Sequence, residues 1–100
     1  MLSFDRVVGF EWDEGNARKS VHKHDVTQAE AEQIFFNDPL LTAPDPLHSG
    51  SETRIHALGR TDTGRLLQIT FTLRDDDTRI RVISARAMSR KERAYYEKEI

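Results

Sequence analysis

The segment Arg65-Leu66-Leu67-Gln68-Ile69-Thr70-Phe71-Thr72-Leu73-Arg74 alternates apolar and polar side chains. In an extended chain, Leu67, Ile69, Phe71 and Leu73 fall on one face and Gln68, Thr70 and Thr72 on the other. Turn signals bracket it. Thr61-Asp62-Thr63-Gly64 lies upstream, with a glycine free to take positive φ, and Asp75-Asp76-Asp77 lies downstream. Beyond these turns lie two more extended runs, Glu52 to Arg60 and Thr78 to Ala85. In the latter, Ile80 and Val82 point inward and Arg79 and Arg81 outward. Strands joined by turns this short must run antiparallel.

Working toward the N-terminus, Phe4 to Trp12 reads as a strand weakened by Gly9. Asp13 can cap a helix from Glu14 to Lys23, on which Ala17, Val21 and His24 share a face. Thr27-Gln28-Ala29-Glu30 is a capping box that opens a second helix over Gln28 to Phe36. Phe35 and Phe36 are adjacent, so one faces the core and the other a neighbouring element. Residues 37–51 hold all three prolines and no periodicity. This reads as a long loop, and such loops are more often functional than ornamental. Toward the C-terminus, Ser89-Arg90-Lys91-Glu92 is a second capping box and opens a basic helix. The predicted order is β-α-α-β-β-β-α. The expectation is a single α+β domain over residues 1–100, an antiparallel sheet with helices on one face and water on the other.

Composition narrows the function classes. One hundred residues suit one domain. The absence of cysteine removes disulfide frameworks, cysteine-based zinc sites and thiol nucleophiles. No apolar run approaches the ~20 residues of a membrane helix. Met1-Leu2-Ser3-Phe4-Asp5 lacks a secretory pattern, so a cytoplasmic protein is expected. The net charge of −2 conceals an asymmetry. Residues 1–53 carry 4 basic against 10 acidic side chains and residues 54–100 carry 11 against 7. The second half is the one suited to a polyanion.

Period two also places the polar side chains. Glu52, Arg54, His56 and Arg60 share a face that Leu58 interrupts, and Arg79 and Arg81 join it beside Gln68, Thr70 and Thr72. Arg86 has the wrong parity and needs the strand to end or bulge at Ser84-Ala85. Arginine suits phosphate because its planar fork donates two hydrogen bonds. The same arginines would equally serve to cover open sheet surface with their stems. The four histidines, His22, His24, His48 and His56, show no helical metal spacing, so no metal site is expected. His24 suits a helix C-terminus, whereas His48 in mid-loop has less structural reason to be there. No nucleophile elbow, phosphate loop or dinucleotide fingerprint occurs, so no cofactor is expected.

Several ordered strings add a resemblance. They are Phe10-Glu11-Trp12-Asp13-Glu14, Lys23-His24-Asp25-Val26, Ala29-Glu30-Ala31-Glu32-Gln33-Ile34-Phe35-Phe36, and Asp45-Pro46-Leu47-His48-Ser49 with Glu52 and Arg54. Ala57-Leu58-Gly59-Arg60-Thr61, Gly64-Arg65-Leu66-Leu67, Ile80-Arg81-Val82-Ile83-Ser84-Ala85-Arg86, and Glu92-Arg93 with Tyr96 follow. In this order and spacing the chain resembles the BrnT family of bacterial type II toxins over nearly its whole length. The chain departs from it at Asp25, where many members have glycine, and at Asn16 and Ser20, where many have lysine and asparagine. Lys19 is the nearest substitute for that lysine.

The resemblance implies a RelE-like ribonuclease fold and an RNA-cutting activity that blocks translation. It also implies a ribbon-helix-helix antitoxin that neutralises the toxin, in a two-plus-two complex through which alone DNA is reached. Cleavage without metal needs proton-transfer groups and cations. The catalytic candidates are His24, Glu52, Arg54, Arg81 and Arg86. The candidates for binding RNA phosphate are Lys23, His48, His56, Arg60 and Arg79. The competing class is an inactive binding module whose cations dock an acidic antitoxin segment and which acts only in operon autoregulation. A DNA reader is the weaker alternative, because the helix from Arg90 to Lys98 also carries Glu92, Glu97 and Glu99.

Overall fold

A computed structural model describes residues 4–47, 50 and 52–100 of the chain. In chain order the elements are β1 (Gly9–Trp12), α1 (Glu14–His24), α2 (Gln28–Gln33) with a 3-10 turn at Ile34–Phe36, β2 (Leu41–Asp45), β3 (Arg54–Arg60), β4 (Leu66–Arg74), β5 (Arg79–Ala87) and α3 (Arg90–Glu97). The helix starts follow the chemistry read from the sequence. Asp13 Oδ1 accepts from the Asn16 N–H, and Thr27 with Glu30 and Ser89 with Glu92 close two reciprocal capping boxes. Gly64 takes φ +90 in the β3–β4 turn. Asp75, Asp76 and Asp77 all adopt positive φ in the β4–β5 turn, a conformation short polar side chains tolerate.

The five strands form one sheet in the order β1-β5-β4-β3-β2. β2, β3, β4 and β5 pair antiparallel, but β1 pairs parallel with β5. The α+β class holds and the purely antiparallel sheet does not: the sheet is mixed. Short turns force only consecutive strands to reverse. β1 reaches β5 through most of the chain, so it is free to run parallel. The second correction is β2, which lies inside the expected loop over 37–51. Its Leu-Thr-Ala-Pro-Asp does not alternate, and Pro44 lacks an N–H. Both suit an edge strand, and β2 is at an edge.

Val26, Ala31 and Ile34 pack on the apolar face against Ile55, Ala57, Leu67, Ile69, Phe71, Ile80, Val82 and Ala85. Phe35 stands edge-on to Phe71 at 5.2 Å between centroids, while Phe36 remains 78% exposed. Gly59 lets the sheet approach α2, since a Cβ there would lie 2.8 Å from Ile34 Cβ.

The other face is not the wet surface expected. Gln68, Thr70 and Thr72 are 4%, 8% and 2% exposed. The helices are not confined to the apolar side either, because α1 flanks the polar side. Asn16, Ser20 and Lys23 of α1 line a groove together with His56, Thr70 and Ser84 of the sheet. The pairing of β4 with β5 is also irregular. Thr70 faces Ser84 while Phe71 faces Val82, leaving Ile83 as an extra residue. Ile83 and Ser84 both line the polar groove, and Ala85 returns to the core. This bulge supplies the parity change that Arg86 required.

Candidate functional site

The groove between α1 and the polar face encloses about 480 Å³. Asn16, Lys19, Ser20 and Lys23 recur at helical spacing and so share one side of α1, and His24 closes the row. Opposite them stand Asp45 from β2, Arg54 and His56 from β3, and Thr70, Ile83 and Ser84 from the central strands. The end of α1 is tied down from outside the groove. Arg65 Nη1 donates to the Asp25 carbonyl at 2.6 Å and to Glu30 at 3.1 Å, and Nη2 donates to the His24 carbonyl at 3.3 Å. The Glu30 carboxyl is held below its usual range by the Thr27 backbone N–H and by Arg65. Asp25 itself takes φ 54 as the helix C-cap, the left-handed position that glycine fills most easily.

His56 is fixed at both ring nitrogens. Nε2 lies 2.9 Å from Asp45 Oδ2, and Nδ1 lies 2.8 Å from Gln68 Nε2 and 2.9 Å from Thr70 Oγ1. The Gln68 amide nitrogen can only donate, so Nδ1 accepts and Nε2–H donates to Asp45. The Asp45 side chain is 11% exposed. Nothing comparable holds His24, whose imidazole has no hydrogen-bond partner among the described residues. One histidine is thus oriented and the other is open to a ligand.

A second lobe of about 420 Å³ adjoins the first through Asn16, Arg54 and Ile83. It contains Glu52, Arg74 and Arg81. These side chains are paired: Arg74 Nη2 donates to Glu52 Oε1 at 2.9 Å, and Arg81 Nη1 donates to Glu11 Oε1 at 2.8 Å with Asp13 3.8 Å away.

Of the ten candidates, the structure gathers His24, Lys23, Arg54 and His56 in the first lobe and Glu52 and Arg81 in the second. Three others lie elsewhere. Arg86 sits on the far side of His56 and donates to both Glu92 oxygens at 2.7 and 2.9 Å. That pair, with the Ser89 N–H, holds the Glu92 carboxyl down to about 2. Arg79 starts β5 beside Gly9 and pairs with Asp75 at 3.2 Å. Arg60 ends β3 next to buried Tyr96, whose phenol is raised by burial. For Arg60 and Arg79 parity assigned the face but not the position along the strand, and Arg86 reaches that face only through the bulge at Ile83. His48 lies outside the described residues. Sequence reasoning missed Asp45 as a partner of His56. The β2–β3 register sets Ala43 opposite His56 and Asp45 opposite Arg54, so Asp45 is a diagonal neighbour of the histidine. Without β2 that contact had no signal.

The family model described as "Ribonuclease toxin, BrnT, of type II toxin-antitoxin system" matches residues 12–92. The chain belongs to the BrnT family. The match runs from Trp12 at the end of β1 to Glu92 in α3, and so takes in the whole groove. Among solved structures, the fold is similar to that of the ribonuclease toxin BrnT of Brucella abortus, at 20% identity and a TM-score of 0.64. That alignment covers 84% of this chain and 100% of the other. No curated protein matches. A type II toxin family implies an antitoxin partner for the chain. No helix among the described residues is long and apolar enough to cross a membrane.

Proposed function

We propose that this BrnT protein is a metal-independent, RelE-like endoribonuclease of the cytoplasm. It blocks translation by cutting RNA and is neutralised by a ribbon-helix-helix antitoxin in a two-plus-two complex. The observation that carries the reading is the first lobe, in which two histidines face a groove of about 480 Å³ with Lys19, Lys23 and Arg54. In the proposed reaction, a base removes the proton of an RNA 2′-hydroxyl. The oxygen attacks the adjacent phosphorus, and the bond to the 5′-oxygen breaks as an acid protonates it. The products are a 2′,3′-cyclic phosphate and a 5′-hydroxyl. His24 and His56 serve as the proton-transfer pair, His56 through Nδ1 once the substrate oxygen takes the place of Gln68 there. Lys19, Lys23 and Arg54 stabilise the charge that builds on the phosphorane. Asp45 holds His56 in the Nε2–H tautomer. Glu52, Arg74 and Arg81 line the path of the neighbouring nucleotide.

The ion pairs at Arg81 and Glu52 favour a second reading, an inactive BrnT-like module acting with its antitoxin. Induction of the gene in growing cells separates the two. Growth arrest that His24→Ala and Lys23→Ala abolish supports the nuclease. A harmless wild-type protein that still binds its antitoxin supports the module.

A further inference from the structure

Leu58 broke the polar row of β3, and the nuclease reading gives it no role. In the structure it lies in a pocket of about 240 Å³ on the side of His56 away from the Lys23 groove. Leu41, Ala43 and Leu58 contribute its apolar surface, and Tyr95 of α3, 58% exposed, stands over it. Arg86 and Gln68 complete the wall. Both are immobilised: Arg86 by its two bonds to Glu92, and Gln68, 4% exposed, by its bond to His56.

We infer that this pocket is a nucleobase subsite, holding the base of the nucleotide next to the scissile phosphate. The inference rests on the reading that the groove binds RNA. Four features carry it. His56 lines both spaces, so the pocket lies one imidazole away from a phosphate held beside Lys23 and Arg54. The volume is below the ~300–1,000 Å³ of a drug-sized site and suits one planar ring system. An exposed tyrosine over aliphatic side chains is a stacking platform, and a guanidinium held flat by a carboxylate adds a second plane. Finally, Glu92 neutralises Arg86, so this end of the site does not offer the uncompensated charge that a phosphate would seek. Arg86 thus shapes a base pocket instead of stabilising the transition state.

The test measures binding of 2′-fluoro trinucleotides, which lack the attacking hydroxyl, covering the four bases and including versions abasic at each position. Tyr95→Ala is expected to weaken the complete trinucleotides roughly tenfold. It should have no effect on the one version whose missing base would have filled the pocket. Tyr95→Phe should retain the wild-type affinity. Because Tyr95 is exposed, its truncation leaves the core intact. Equal weakening of every version by Tyr95→Ala, or none, overturns the subsite. In that case continued binding that Lys23→Ala abolishes leaves the nuclease reading standing. Absence of any trinucleotide binding by the wild-type protein overturns both.

Discussion

Hydrogen bonding separates the two groove histidines in character: His56 is held at both ring nitrogens, and the His24 imidazole at neither among the described residues. Asp45 holds Nε2 of His56. An orienting carboxylate keeps an imidazole in the tautomer and direction that proton transfer needs. Asp45→Asn is therefore expected to lower RNA cleavage by at least about tenfold. The unfolding midpoint should fall only modestly, because the Asn side-chain oxygen can still accept from Nε2–H; cleavage assays and denaturant curves on the same sample check this. Asp25 gives a prediction of opposite sign. Its φ of 54 costs any side chain what glycine is spared, so Asp25→Gly should stabilise the protein by about 0.5–1 kcal/mol in urea unfolding. Residue types were largely legible in the sequence, and His24, His56, Lys23 and Arg54 do converge. Which arginines were already engaged was not, because ion pairs such as Arg81–Glu11 join positions 70 apart in the chain.

Elements whose instructions are local were read well. Both capping boxes, the Gly64 turn and strands β3, β4 and β5 stand close to their expected limits. β2 was missed because an edge strand with proline has neither alternation nor a full set of donors. α1 was assigned to the wrong side because period two tells which side chains share a face but not what covers that face. α3 illustrates how an element couples to the sheet. Glu92 caps its own helix through Ser89 and binds Arg86 of β5. Its carboxyl titrates at about 2 in the folded protein, below its ordinary value of 4.5. A depressed carboxyl contributes stability that is complete above the ordinary value and is lost as pH falls from about 4.5 toward 2. At this partly exposed pair the loss should be about 1–2 kcal/mol. Glu92→Gln should lower stability near neutrality and flatten the acid limb over that interval, as followed by Tm against pH.

Across the whole molecule, the mixed sheet divides labour between its faces. The apolar side carries α2 and the aromatic cluster, which fix the sheet. The polar side is enclosed by α1 and bordered by α3, which turn a flat array of polar side chains into a groove with lobes on either side of the central β-strands. The acidic first half of the sequence is also explained in part. Glu11, Asp13 and Asp45 fold back onto Arg81 and His56 of the basic second half, so the charge asymmetry of the chain is internally compensated at the site. Lys19 and Lys23, on the α1 side of the groove, have no such ion pair among the described residues.

The most direct test is the identity of the ends made when purified protein is incubated with RNA in excess EDTA. Transesterification in the Lys23–His24–Arg54–His56 groove predicts 2′,3′-cyclic phosphate and 5′-hydroxyl ends, with the rate falling about 100-fold or more in folded His24→Ala and His56→Ala variants. Cleavage that EDTA abolishes, that leaves 5′-phosphate ends, or that survives both substitutions unchanged would contradict the account.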